Sequence, residues 1–359
     1  MKNSFRRKSH SGRALAALTA LVLMLCLLPA ISAAESAETP QDWVDFLLIC
    51  NEGMNNDKGN AGNTLMVVSM NPEEGKIRLL TFMWDTFVDY EGYDVPQKLD
   101  IPYRNNGPEE AVKVFNDNFG TNIECYLSLN YLNLAELIDD YGGVDVEISR
   151  AERNALNGMV ASKKNQLLSK VNAGFLTKAL IDSLAKDYYL TEFGPNTHLN
   201  GLQAVGFGWL QYDSVYNCCE REAEVITSFF NSCGKTIAEK IAFYTNDIAC
   251  PDDLGGRRAI NLDEITEDDY AFIRQQIDPI FQKSFNNLQE DRIRSITLSL
   301  ARVAFQASRQ GVDIFDSVKT MILPLEAKNE YDIIAGAKGH IVNKEANSAA
   351  IREFLFKED

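Results

Sequence analysis

Two rhythms alternate along the chain: short unbroken apolar runs, and longer stretches where apolar residues return every three to four positions. Asp45-Phe46-Leu47-Leu48-Ile49-Cys50 is the first unbroken run, as expected of a strand covered on both faces. Thr64–Met70 and Lys76–Met83 are two more β-rich runs. Between them, Asn71-Pro72-Glu73-Glu74-Gly75 supplies the Pro and Gly that a hairpin needs. Pro108-Glu109-Glu110 opens an amphipathic helix with Pro and acids in its first turn, and Gly120 closes it. Ile123–Leu129 predicts the next strand; Asn130 caps a helix over Tyr131–Tyr141, Gly142-Gly143 stops it, and Val144–Ile148 follows as a strand. This β-α-β-α-β order predicts an α/β fold, a sheet with helices packed around it, three layers thick.

Farther along, 150–190 is helix-forming and carries Lys163, Lys164, Lys170 and Lys178, which a solvated helix face explains better than a basic groove. Residues 220–243 form a long helical stretch, and 262–294 is charged and helical, with Thr266-Glu267-Asp268-Asp269 as a capping box. No period of 20–50 residues repeats, which excludes solenoids and propellers. Residues 43–356 read as one domain with helical insertions near 150–190 and 258–294.

The first 34 residues have a different layout. Lys2, Arg6, Arg7, Lys8 and Arg13 precede the apolar run Ala14–Leu28, and Pro29 and the small residues Ala30-Ile31-Ser32-Ala33-Ala34 follow. That is the arrangement of a cleaved secretory signal, with an uncleaved membrane anchor as the alternative. Residues 35–42 are a short polar linker. The 359-residue chain holds 51 acidic against 35 basic residues, a net charge of -16, and loss of the leader makes it more acidic still. A chain this acidic lacks the basic face that nucleic acid or anionic lipid requires, so no nucleic-acid partner is expected. Three His (His10, His198 and His340) argue against a multi-His metal site, and no G-x-S-x-G elbow, P-loop or H-E-x-x-H is present. Beyond the leader, Cys50, Cys125, Cys218, Cys219, Cys233 and Cys250 permit disulfides in an exported protein; thiols buried as small apolar groups fit equally well.

Five motifs and two closing segments, in order, resemble the LytR-CpsA-Psr proteins, exported phosphotransferases that move glycopolymers from a polyprenyl-pyrophosphate carrier onto peptidoglycan. Gly62–Pro72 resembles the family's "SDTxMLVSINP", Leu80–Thr86 its "LSIPRDT", and Lys98–Tyr103 its "KINxAY". Asp139–Val146 is close to "DxLGGVxV", and His198-Leu199-Asn200-Gly201-Leu202-Gln203-Ala204 nearly repeats "HLNGxQAL"; Ala301–Pro324 and Tyr331–Leu355 follow the family's closing elements. The resemblance implies a three-layer α/β/α sandwich with a central mixed sheet that encloses an apolar lipid-binding tunnel. It also implies an extracytoplasmic, cell-envelope location and a polyprenyl-linked ligand.

The positions that carry the family's chemistry differ. Its magnesium-binding Asp corresponds to Asn51 and its metal-linked Asp of "SDT" to Asn63, with Glu52 and Asp57 nearby. Neutral amides bind hard divalent cations far less well than carboxylates, so no metal or other cofactor is expected here. The family's phosphate-facing Arg residues fall at Gly53, Trp84, Trp209, Gln211 and Cys218, the pair at Trp209 and Gln211 lying in what is a "YxRxR" strand in the family; Asp85, Thr86, Lys98 and Arg221 remain. Asp85 and Arg221 are the residual catalytic candidates, and Trp84, Lys98, Trp209, Gln211, Asn51 and Asn63 the candidate ligand-binding positions. A charge-assisted hydrogen bond is worth roughly 1.5–3 kcal/mol, so losing even three or four of these five Arg costs at least about 4–5 kcal/mol, on the order of 10³ in affinity.

Trp84 and Trp209 either stack on a neutral ligand or fill a disused cleft. Asp85 and Arg221 either form a residual site or a buried ion pair. Three functions follow from these alternatives: a non-catalytic or weakly active relative binding a lipid-linked or sugar ligand; a divergent active phosphotransferase; or a structural protein with a cell-envelope partner.

Overall fold

In a computed structural model of the chain, residues 43–53, 62–169, 186, 188–246, 260–310, 317–325 and 332–356 are described, all within a unit spanning Ala37–Asp359. The leader and linker expected at 1–42, Cys26, Cys250 and Asp57 lie outside the described residues.

The three apolar runs are the strands β1 (Val44–Asn51), β2 (Gly62–Asn71) and β3 (Lys76–Phe82), paired antiparallel. Every residue of β2 is buried, as expected of a strand between two layers. The 71–75 hairpin closes with Gly75 N–H donating to the Asn71 carbonyl at 2.9 Å and Gly75 at φ 64°, while Asn71 Oδ1 accepts from the Glu73 and Glu74 amides. The strand β6 (Cys125–Asn130) runs parallel to β1. Two pieces from far along the chain finish the sheet: β9 (Phe285–Asn286) beside β6, and β10 (Val318–Leu323) parallel to β3. The order is β10-β3-β2-β1-β6-β9, a mixed six-stranded sheet.

Alternation along the strands builds two cores. Leu47, Ile49, Leu65, Val67, Leu80 and Phe82 face α1 (Ile101–Asn106), α2 (Pro108–Phe119) and α9 (Lys344–Phe356). Phe46, Leu48, Cys50, Met66, Val68 and Leu79 face the other layer. That layer holds α3 (Tyr131–Asp140), α5 (Gly201–Gly208), α6 (Val215–Asn246), α7 (Glu267–Lys283) and α8 (Glu290–Gln310), with α4 (Arg150–Ser169) contributing Leu156. The three-layer α/β/α arrangement with a mixed central sheet is thus present.

Local signals act as expected in α3 and α7. Asn130 Oδ1 accepts from the Asn133 amide at 2.8 Å, and Thr266 and Asp269 form a reciprocal box. In contrast, β7 (Val144–Ile148) does not join the central sheet but pairs with β8 (Gly194–Leu199). Its pattern explains this: residues alternate buried and exposed, so only one face is covered, unlike β1–β3. A small sheet, β11-β12-β4-β5, joins β11 (Asp332–Ile334) and β12 (Ala337–Ile341) to β4 (Thr86–Val88) and β5 (Gln97–Lys98).

The HLNG segment has a packing reason. Asn200 and Gln203 form a capping box on α5, and Gly201 passes so close to α3 that a Cβ there would sit 1.8 Å from the Ala135 carbonyl oxygen. Only glycine allows that crossing.

Candidate functional site

The altered family positions gather at one end of the sheet, where β1, β2 and β3 finish or begin, but they divide between its two faces. Asn51, at the end of β1, is fully buried. Its Nδ2 donates to the Tyr103 hydroxyl at 2.8 Å and to the Leu129 carbonyl at 3.3 Å, and its Oδ1 accepts from the Gly53 amide at 2.8 Å. Tyr103 Oη is in turn 3.1 Å from Ser128 Oγ. Both amide hydrogens are therefore spent within the protein. Asn63 Nδ2 donates to Glu52 Oε1 at 2.7 Å. Two carboxamides so engaged do not fit a hard divalent cation, which needs several anionic or carbonyl oxygens turned toward it. Among the described residues no three of His, Cys, Asp and Glu assemble into a metal-holding group.

Arg221, near the start of α6, is buried, with both terminal guanidinium nitrogens engaged and its Nε–H without an acceptor. Its guanidinium donates to Asp213 Oδ1 at 2.8 Å and Oδ2 at 3.0 Å, reaches Glu152 Oε1 at 3.4 Å, and donates to the Leu210 carbonyl. The Tyr212 ring lies 5.2 Å from its Cζ. Burial alone would raise the Asp213 carboxyl, but hydrogen bonds from Arg221, Asn217 and the Ser214 amide outweigh it and hold the group at about 2. The expected alternative of an Asp85–Arg221 pair is corrected. Asp85 instead stands 3.2 Å, Oδ1 to Nδ1, from His340, and both are buried. The His340 amide also donates to the Asp85 carbonyl, across the β4–β12 pairing.

The two Trp residues do not share a cleft. Trp84 packs against the core on the α2 face, with the Lys98 ammonium 5.1 Å from its ring centroid and its own buried Nε1–H without an acceptor. Trp209 packs against the core on the α6 face, where Nε1–H donates to Thr64 Oγ1 at 3.0 Å. Trp209 caps the end of α5 rather than sitting in the strand expected from the resemblance, and Gln211 is exposed beyond it. His198, in the same motif, is exposed on β8 and pairs with Asp145 at 2.8 Å.

One residue at this end escaped the sequence reading. Glu222, next to Arg221 on α6, is fully buried, and neither carboxyl oxygen has a hydrogen-bond partner of good geometry. Burial pushes the carboxyl well above its ordinary range; the Thr64 hydroxyl and the Arg221 charge oppose this and lose. Its signal lay in the helical repeat: 222, 225, 226, 229, 230 and 233 form one stripe, otherwise apolar, so Glu222 occupies a core position. Burial likewise raises the Cys50, Cys218 and Cys219 thiols, with the Glu222 charge adding to it. Cys50, Cys125, Cys218, Cys219 and Cys233 are free and buried, which selects the small-apolar reading for these five.

In the core on the α6 face an apolar pocket lies between β1, β6 and the helices. It is small, with a cavity volume of about 40 Å³, and all its lining side chains are apolar, among them Phe46, Leu48, Leu127, Leu134, Ile226 and Phe229.

Comparison with known proteins decides the family. The family model LytR_cpsA_psr matches residues 31–227, more than half of the chain. The chain belongs to the LytR-CpsA-Psr family. It is 26% identical over 104 residues to a polyisoprenyl-teichoic acid–peptidoglycan teichoic acid transferase, TagU, of Bacillus anthracis; the match spans 29% of this chain and 34% of that protein. The Enterococcus faecalis TagU is 30% identical over 84 residues, 23% of this chain and 28% of that one. The chain thus spans about a third of the length of these curated relatives. In fold it is similar to Bacillus subtilis TagV (TM-score 0.55, 13% identity, covering 88% of this chain and 96% of that one). It is equally similar to TagT bound to LIIa-WTA (TM-score 0.54, 13% identity, 88% and 90%). At that identity the likeness establishes the LytR-CpsA-Psr fold alone.

Proposed function

We propose that this LytR-CpsA-Psr protein is an exported cell-envelope component that binds the apolar chain of a polyprenyl-type ligand and does not transfer glycopolymer from a pyrophosphate carrier. The observation that carries this reading is the state of Arg221. The surviving arginine of the phosphate-binding set spends both terminal guanidinium nitrogens on Asp213, Glu152 and the Leu210 carbonyl. Phosphoryl transfer depends on positioned positive charge at the moving group, and a guanidinium already paired with a carboxylate supplies little of it. The Asn51 and Asn63 amides, turned inward, supply no cation site. A small apolar pocket beneath the sheet supports an apolar ligand instead. The leader at 1–34 supports export, and residues 43–356 would act as one domain.

The test has two arms. Purified protein incubated with a radiolabelled polyprenyl-pyrophosphate glycan and peptidoglycan should transfer no label above a no-protein control. Transfer that disappears in Asp85→Asn would establish a divergent active phosphotransferase instead. In the second arm a tritiated C20 prenyl probe should bind, and Leu127→Phe, which narrows the pocket, should weaken binding about tenfold. Absence of any prenyl binding would leave the structural, partner-binding function.

A further inference from the structure

Two exposed aromatic surfaces belong to opposite layers of the sandwich and carry charge of opposite sign. The first is in the α6 layer, at the start of α4. Phe193 is 41% exposed, and the guanidinium carbons of Arg150 and Arg153 lie 5.2 and 4.8 Å from its ring centroid. Arg153 is fixed further by hydrogen bonds to the Thr191 carbonyl and to Asn154 Oδ1. The exposed Tyr212 has its hydroxyl against Ser149, one residue before Arg150. Arg104, Arg221, Arg274, Arg292, Arg294 and Arg302 each hold a carboxylate. Arg150 and Arg153 form no ion pair with a described residue, because the acids beside them, Glu152 and Asp213, are taken by Arg221. Two ordered guanidiniums are thus left unbalanced in a chain of net charge -16.

The second surface is in the α2 layer, on the loop between β4 and β5. Tyr93 is 47% exposed; it stacks on Tyr90 at 5.0 Å with 21° between the rings, and its hydroxyl accepts from Asn105 Nδ2 at 3.1 Å. The exposed Val95 stands beside it. Asn118 binds both the amide and the carbonyl of Asp89, which fixes the start of the loop. Its charges are acidic. Asp89 pairs with Lys344 and Glu91 with Lys113, but these carboxylates are 72% and 81% exposed, so the pairs are weak and open to exchange. Asp94 is exposed and forms no ion pair with a described residue.

Aromatic side chains and arginine are what protein contacts favour, and exposed apolar groups rimmed by charge are where they form. A ring flanked by arginines complements a ring flanked by carboxylates, whereas either surface against its own copy would set like charges together. We propose that the protein associates head to tail with a second copy of itself, the Arg150–Arg153–Phe193 surface of one copy meeting the Tyr93–Asp94 loop of the next. A contact between two different surfaces leaves one of each free, so it builds open chains or a closed ring rather than stopping at a pair.

Sedimentation equilibrium of the full chain in a nonionic detergent tests this. Average mass should rise with concentration between about 1 and 200 μM, and about 0.5 M salt should weaken association several-fold. Arg150→Glu with Arg153→Glu should weaken it about tenfold, as should Glu91→Lys with Asp94→Lys. A chain with all four substitutions has both surfaces reversed and should recover association to within about threefold of the parent. Phe193→Ser, which alters no charge, should weaken it about fivefold. A chain that stays monomeric at every concentration overturns the proposal and leaves the two surfaces to other partners. Association that either reversal leaves unchanged overturns it too, as do two losses that the fourfold chain does not repair.

Discussion

Cys50 and Asn51 are neighbours at the end of β1, yet their side chains enter opposite layers with opposite polar bookkeeping. On the α2 face the Asn51 amide, Tyr103 hydroxyl and Ser128 hydroxyl join in a buried network that uses all three. On the α6 face, Cys50 and Thr64 lie beside the buried Glu222 carboxyl, which only the Thr64 hydroxyl and the Arg221 charge support. A position of ancestral chemistry can thus be converted in two ways. One is closed by internal hydrogen bonds and becomes architecture; the other keeps a buried acid with little support.

Three substitutions separate these outcomes. The largest effect belongs to Asn51→Leu, which orphans the Gly53 amide, the Leu129 carbonyl and part of Tyr103; urea unfolding should show a loss of about 3 kcal/mol. A loss below about 1 kcal/mol would show that the network is incidental.

Arg221→Met should cost about 2 kcal/mol, because it leaves the largely covered Glu152 and the more exposed Asp213 without their cation. Its signature is in pH. Asp213 is held at about 2 against an ordinary 3.8; screened by solvent at this exposed position, its contribution of about 1 kcal/mol is complete above about pH 4 and is lost as pH falls toward 2. The variant should lack that acid-side step in a plot of unfolding free energy against pH.

The smallest effect has the opposite sign. Glu222→Gln should stabilise the unliganded protein by about 1 kcal/mol at pH 7. A carboxyl raised on folding penalises the folded state only above its unfolded value near 4.5, so the gain should shrink by pH 4.5. A destabilised Glu222→Gln at pH 7 would mean that the charged form is supported by groups other than those described.

Local patterns were legible where one short segment settles its own structure. The runs of β1 to β3, the Asn130 cap, the Thr266 box and the Pro108–Gly120 helix needed no distant information. What escaped was decided by contacts between remote residues. His340 meets Asp85 across 255 positions, and β4 and β5 are too short to show a period. The segment 201–208 is a helix because Asn200 and Gln203 cap it and Gly201 lets it lie on α3, although the resemblance implied a strand at its end. Of the candidate site, the altered positions were legible from family motifs, but their partners were not. Arg221 turns to Asp213, eight residues back, and Glu222 passed for an ordinary helical acid because its burial comes from the sheet beneath it.

The sheet order also carries a consequence for how the chain is made. β3 is complete once residue 82 has been synthesised, but β10, which covers its outer side, begins at Val318. For most of translation a growing chain carries an apolar strand with a bare row of amides and carbonyls, the kind of surface on which chains stick to one another. Early structure in the hairpins would therefore favour clumping, and a chain held unfolded until its last third emerges has the safer route.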